Sequence, residues 1–374
     1  MNLEAKIHRT TSHIVLVGAG HSHVEVLRRF RLRPDPSVRL TLITRAPETP
    51  YSGMVPGYVA GHYTRSDINI RADRLADFDG CTVLFGCASA LNVDDRRVSL
   101  ADGRSVAGDL ISIDVGAVTD ISDAPTNSGL VVSVKPMDEF ERSWPTVEQR
   151  MISDVGIRIA VVGAGAAGVE LALAIRHKLH RINEATANQA RIVLLERDDR
   201  ILKGFSDGVR NRLTKILSKH GVETRTNFRG FEEDGVPGFF EILVWAAGVS
   251  PAVWLAKSGL APDTHGFIAV NRQLQSISHP AFFAAGDAAS MVETPRPKSG
   301  VIAVRQGRIL AENLLRSTRG LPLKSFAPQK EWLSLISTGE RYAVASRGRW
   351  TAEGRWVWYW KNWLDKRFVD RFSF

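Results

Sequence analysis

Two stretches of this chain echo each other. Residues 13–20 read HIVLVGAG and residues 158–165 read RIAVVGAG, each an apolar run that ends in Gly-Ala-Gly and opens into a helical pattern. A continuous apolar run of this length suits a strand buried on both faces, and a strand feeding a helix through a glycine-rich turn is the opening unit of a parallel sheet covered by helices. After the first turn come a helical pattern (VEVLRRF), a strand (VRLTLIT, residues 38–44) and further strands, TVLFG and DLISIDVG. After the second come AAGVELALAIRHKL and ARIVLLE. At 374 residues the chain exceeds the roughly 250–300 at which a single core stops growing. The reading is therefore α/β, with two Rossmann-like, three-layer dinucleotide-binding domains and a small C-terminal segment. Turn residues cluster at 122–129 (SDAPTNSG) and near 264–266, which marks the linkers.

In a dinucleotide unit the first glycine makes the tight turn, the second lets the backbone approach the diphosphate and the third permits close helix packing. Gly163, Gly165 and Gly168 fill all three places, and Glu196 follows the next strand, where it can accept from both ribose hydroxyls and repel a 2′-phosphate. NAD(H) is favoured over NADP(H), with Arg197 beside the acid weighing the other way. The interval from Gly163 to Glu196 is long, and the polar stretch 180–190 is expected to absorb the excess as a loop. The first turn, Gly18-Ala19-Gly20-His21-Ser22-His23, lacks the third glycine, which predicts looser helix packing, and its second strand ends in Thr44-Arg45 instead of an acid.

Several strings extend this reading. VGAGHSHVEVLRRF, TPYSGMVPGYVAGHY, FFAAGDAAS, LISTGERYAVASRG and EGRWVWYWKNWLDKRF resemble the pyridine nucleotide-disulfide oxidoreductase superfamily, within it the type II NADH dehydrogenases, and most narrowly the flavoprotein module found fused ahead of selenide, water dikinase. The resemblance implies nested units. Residues 11–122 and 266–325 would bind FAD, residues 123–265 inserted between them would bind NAD(H), and residues 326–374 would form a cap or interface. It implies that Asp287, in Ala284-Ala285-Gly286-Asp287, bonds the flavin's ribityl chain. Ser299, Gly300 and Val301 would begin a helix aimed at the flavin's pyrimidine edge, with Lys298 adding charge. Ser52, Gly53, Met54 and Pro56 of YSGMVPG would lie beside the ring, and Gly116 and Gly248 would end the strands that carry the chain between units. Glu170, in Gly168-Val169-Glu170-Leu171-Ala172, matches the glutamate that such dehydrogenases place between nicotinamide and flavin. A carboxylate in a helix's first turn also has an ordinary explanation in the helix dipole. His21 and His23 titrate near neutrality, yet nicotinamide-to-flavin transfer needs no side-chain acid, so binding or packing is their expected role.

Departures from the family pattern narrow the chemistry. The two cysteines, Cys81 and Cys87, read as strand-mates ~20 Å apart and as packing residues, which leaves no dithiol relay. Where type II dehydrogenases carry glutamines at the quinone site, residues 300–305 read GVIAVR, so Arg305 and Gln306 become candidates to face an acceptor. Residues 224–240 are short for the family's excursion, with EEDG at 232–235 as a tight turn. The net charge of +9 is unevenly spread, and after Gly339 arginines and lysines interleave with tryptophans. Trp356, Trp358 and Trp360 alternate, a strand pattern that suits a flavin cap or homodimer contact, or a peripheral contact at the inner face of a membrane. Nucleic acid is not an expected partner. The polar N-terminus and the lack of an apolar run of about 18 residues predict a cytoplasmic protein. The reaction expected is hydride transfer from NADH to FAD, then electrons to a quinone-like small molecule. Delivery to a protein or to a selenium or sulfur acceptor is the alternative, and a flavin-bound partner with negligible turnover is a third reading.

Overall fold

The computed structural model describes residues 11–125, 128–231, 240–329 and 331–374. Two five-stranded parallel sheets dominate it. The first runs Phe282–Ala284, Leu110–Ile113, Ser12–Val17, Val38–Thr44, Cys81–Phe85 across its width. The second runs Leu130–Ser133, Ile242–Trp245, Arg158–Val162, Arg191–Leu195, Val222–Arg225. In each sheet the echoed apolar run is the central strand, and Ile14, Val15, Leu16, Ile159, Ala160 and Val161 are wholly buried. Helices on both faces explain why these strands are apolar without alternation.

Four helices position the site. The turn at Gly18 opens into α1 (His21–Leu32), and the turn at Gly163 opens into α2 (Ala166–Ile182). Near the C-terminal end lie α3 (Gly300–Thr318) and α4 (Arg355–Asp370). The two sheets are joined by a two-stranded antiparallel ribbon, Val118–Thr119 against Val249–Ser250, through which the chain leaves the first sheet and returns to it. A last antiparallel sheet, Ser334–Thr338, Glu340–Arg347 and Trp350–Gly354, packs with α4 against α2.

Three expectations are corrected here. The stretch 180–190 is helical: α2 runs on to Ile182, and Asn183 caps a further helix, Glu184–Gln189, by accepting from the amides of Ala185 and Thr186. Buried Arg176 ties that helix down by donating to the carbonyls of Ala187, Ala190 and Gly221. The tryptophan-rich segment is the helix α4 and no strand. Trp356 and Trp360 stack with ring centres 6.3 Å apart, while Val357, Trp358, Lys361, Asp365 and Val369 are buried at helical spacing. The cysteines do not share a strand, because it ends at Phe85; Cys81 is half-buried on it and Cys87 is exposed beyond it. The expected turn at 232–235 and the polar N-terminus at 1–10 lie outside the described residues.

Candidate active site

Both glycine-rich turns open onto one cleft of about 1370 Å³. That exceeds the roughly 300–1,000 Å³ of an ordinary small-molecule site and suits two extended ligands. From the first unit, Gly18, Gly20, His21, Thr44, Ser52, Gly53, Pro56, Gly116, Gly286, Asp287, Lys298, Ser299, Gly300 and Val301 border it; from the second, Gly165, Gly168, Glu170 and Gly248 do. The turns are built for close approach. Gly18 has φ +91°, and a Cβ on Gly168 would lie 1.8 Å from the carbonyl oxygen of Gly163. No side chain fits at the third glycine position of that turn.

His23 occupies the corresponding place in the first turn, and its geometry corrects the expected looseness. The imidazole, wholly buried, fills the gap between α1 and the sheet with Nδ1 2.6 Å from the Gly18 carbonyl oxygen and Nε2 2.8 Å from Ser112 Oγ. It does not reach the cleft, so it is a packing residue and not a cofactor ligand. Met54 is corrected likewise: its side chain has no exposure, and its amide is spent on the carbonyl of Tyr51. His21 does face the cleft. Burial pulls its imidazole down to about 4, so it is neutral at physiological pH and accepts from the Ser52 amide at 3.4 Å.

Gly163 and Glu196 do not themselves border the cleft. Glu196 Oε2 accepts from the Ala164 amide at 2.7 Å and Oε1 from the Asp198 amide at 3.0 Å, which ties the acid to the glycine turn it serves. Lys298 donates to the Ala289 carbonyl at 2.6 Å and sits 3.6 Å from the centre of the Phe267 ring. Burial pulls its ammonium down to about 8.

Glu170 is the fifth residue of α2, past the first turn, so the dipole does not account for it. Its Oε1 accepts from Ser337 twice, from the amide at 2.8 Å and from Oγ at 2.9 Å, where a bulge at Ser337/Thr338 re-aims the strand. Burial raises this carboxyl, and the charge of Lys361 opposes the rise. Lys361, on α4, donates to the Gly53 carbonyl and to Asp365 Oδ2, both at 2.6 Å. Burial alone would lower its ammonium, but Asp365 and Glu170 together hold it above the ordinary value. Tyr51 packs on Phe368 of α4 with ring centres 4.4 Å apart. Across the cleft Lys135 pairs with Asp287 at 2.5 Å. Lys135, Lys361, Asp365 and Ser337 were not singled out from the sequence. Lys361 and Asp365 pair one helical turn apart, but the groups they and the other two meet across the cleft lie far along the chain, and only the basic residues among the tryptophans hinted at Lys361.

Residues 12–307 match the profile of the family described as pyridine nucleotide-disulphide oxidoreductase. The chain belongs to that family. Among curated relatives, it is 24% identical over 328 residues to the NADH dehydrogenase-like protein YutJ of Bacillus subtilis, covering 84% of this chain and 86% of the relative. It is also 24% identical over 196 residues to the type II NADH:quinone oxidoreductase of Haemophilus influenzae, 48% of this chain and 44% of that one. Among solved structures, NDH2 of Plasmodium falciparum in complex with NADH superposes with a TM-score of 0.78 at 14% identity, covering 97% of each chain. The sulfide:quinone oxidoreductase of Aquifex aeolicus gives 0.75 at 16% identity, covering 96% of this chain and 91% of that one.

As a pyridine nucleotide-disulphide oxidoreductase family member, the protein is an NADH dehydrogenase-like flavoprotein and an NAD(P)H oxidoreductase. The family's disulphide chemistry has no counterpart in its cysteines. Cys81 is half-buried on a strand, its thiol pushed up to about 12 by burial, and Cys87 borders the cleft near Gly86, as an exposed residue and not a packed one. Gln306, expected to face an acceptor, is buried with its Oε1 2.8 Å from the Gly286 amide, while Arg305 is exposed. No described helix is long and apolar enough to cross a membrane.

Proposed function

We propose that this protein is an FAD-dependent NADH dehydrogenase that passes electrons to a quinone or similar flat, apolar acceptor. The observation that carries the reading is the convergence of both glycine turns, Glu170 and the loop around Ser52 on one cleft. Residues 11–122 and 266–325 would hold FAD through Gly18, Gly20, His21, Thr44, Ser52, Gly53, Pro56, Gly116, Gly286, Asp287 and the N-terminus of α3. Residues 123–265 would hold NAD(H) through Gly163, Gly165, Gly168, Glu196 and Gly248. When bound, the flavin supplies the redox chemistry, taking a hydride from the nicotinamide and releasing two electrons.

The chain's own residues supply alignment and charge. Asp287, paired with Lys135, would accept from the ribityl chain, and Lys298 with the positive end of α3 would stabilise a reduced, anionic ring. Glu170, fixed by Ser337, would lie at the place of the nicotinamide and help to orient it. His21 stays neutral and positions the Ser52 loop. Trp332, Leu333, Leu335, Ile336, Leu364 and Phe368 give the C-terminal side of the cleft an apolar wall, which supports a quinone-like acceptor over a charged one. The outer face of α4 exposes Trp356, Tyr359 and Trp363 with Arg355, Lys366 and Arg367 on the same helix, a composition suited to an anionic lipid surface.

The test is an anaerobic stopped-flow titration of the flavin-loaded protein with NADH and NADPH, followed by mixing with a soluble quinone. Rapid bleaching by NADH and rapid reoxidation by quinone are expected. Rapid bleaching with slow quinone reoxidation would replace the acceptor by a protein or a selenium or sulfur species; absence of bleaching would refute the dehydrogenase.

A further inference from the structure

A carboxylate from the strand on one side stands against the first glycine turn; among the described residues the acid on the second turn, Glu196, comes from the strand on the other side. Asp114 follows the strand Leu110–Ile113 and its amide donates to the Val17 carbonyl; the residue in the same register of the second sheet, whose amide donates to Val162, is Ala246. Asp114 is 2% exposed. Its Oδ2 accepts from the amides of Ser22 at 2.8 Å and His23 at 3.0 Å, the second and third residues of α1. Those amides are among the orphan donors that a dinucleotide unit turns toward phosphate. Its Oδ1 has no hydrogen-bond partner among the described residues, lies 2.5 Å from where a Cβ on Gly20 would stand, and belongs to a residue of the cleft wall.

Among the described residues no cation pairs with this carboxylate. From α1, His21 is neutral and His23 is turned to Gly18 and Ser112; beyond Gly286 stands Asp287, a second acid, with Lys135 already bonded to it. An ionised Asp114 beside a bound diphosphate would put two anions at one buried helix end, an arrangement that drives one of them to take a proton.

We propose that Asp114 binds the cofactor in its protonated form: Oδ2 keeps the Ser22 and His23 amides while Oδ1–H donates to a diphosphate oxygen of FAD. The inference rests on the FAD reading above. One proton is taken from solvent on binding at high pH and returned on release; no other bond changes. Burial, with Asp287 adding to it, lifts this carboxyl to about 7 even though the two amides oppose the shift. Below that pH the proton is already in place. Above it the proton must be drawn from solvent, so FAD affinity falls as pH rises, by up to about tenfold per pH unit for one linked proton.

The experiment is a fluorescence titration of flavin-stripped protein with FAD from pH 6 to 9, for the wild type, Asp114→Asn and Asp114→Ala. Calorimetry at pH 8 in two buffers of different ionisation enthalpy counts the protons taken up. In the wild type, Kd is expected to be level below pH 7 and to rise about tenfold between pH 7.5 and 8.5, with close to one proton taken up at pH 8. D114N keeps an oxygen for the amides and offers N–H to the phosphate, so its Kd should be level throughout with no proton uptake. D114A should bind more weakly at every pH; if it does not fold, the wild type and D114N decide alone. A level wild-type Kd, or the same rise in D114N, would overturn the proposal. Failure of the wild type to bind FAD at any pH would overturn the FAD reading itself, and this inference with it.

Discussion

Neutralising Glu196 should change which nucleotide the protein prefers. In Glu196→Gln, kcat/KM for NADH is expected to fall roughly tenfold while that for NADPH holds or rises, because a carboxylate at the ribose would accept from its hydroxyls and repel a 2′-phosphate. An unchanged NADH/NADPH ratio in steady-state kinetics would remove Glu196 from the ribose site. Glu170→Gln should slow flavin bleaching by NADH roughly tenfold in single turnover with FAD retained, since Ser337 still has an oxygen to bond. Lys298 gives a pH signature of its own. Its ammonium, held near 8, is a cation below that pH and neutral above, so the rate of flavin reduction should drop as pH rises through 8, and Lys298→Met should abolish the step. The glycine turns, Glu170 and Asp287 were legible in the sequence because each sits in a local pattern. Lys135 and Lys361 were not, because their partners Asp287 and Gly53 are 152 and 308 residues away. His23 was legible as a missing glycine, but the Ser112 hydroxyl that makes its burial tolerable was not.

Alternation of tryptophans misdirected the reading of α4, for a physical reason. Its buried face covers the cleft and its outer face is itself aromatic, so the usual apolar stripe of a surface helix is erased and the two-residue spacing of Trp356, Trp358 and Trp360 stands out instead. The helix then has two separable duties. Trp358, 6% exposed and edge-on to His62 at 5.3 Å, belongs to the inner one; Trp358→Ala should cost about 3 kcal/mol in a denaturant titration, as large-to-small core changes do. Trp356 and Trp363 belong to the outer one. Their double replacement by alanine should leave stability and NADH bleaching intact while reducing co-sedimentation with vesicles containing anionic lipid. Equal binding of both proteins to such vesicles would assign the aromatic face to something other than lipid. The strand-like expectation for this segment failed at the level of the element; of the helix, Lys361, Leu364, Asp365 and Phe368 border the cleft.

At the scale of the molecule, the paired sheets follow from the repeated strand and turn, and their like strand order carries the repetition into three dimensions. The joint between sheets was legible only through Gly116 and Gly248 just before it, because its two-residue strands carry no periodicity. Asp287→Ala should lower the flavin-to-protein absorbance ratio of the purified protein several-fold, since the cleft loses the acid that opposes Lys135; full occupancy would show that Asp287 is dispensable for FAD. The ribbon that joins the sheets has a further consequence. Val118 faces Ser250 and Thr119 faces Val249, so the polypeptide departs and comes back at adjacent points. Everything between them is topologically a cassette. A single turn could bridge those points without rerouting any strand of the first sheet, so the inserted unit is open to exchange for another module as one contiguous piece of gene.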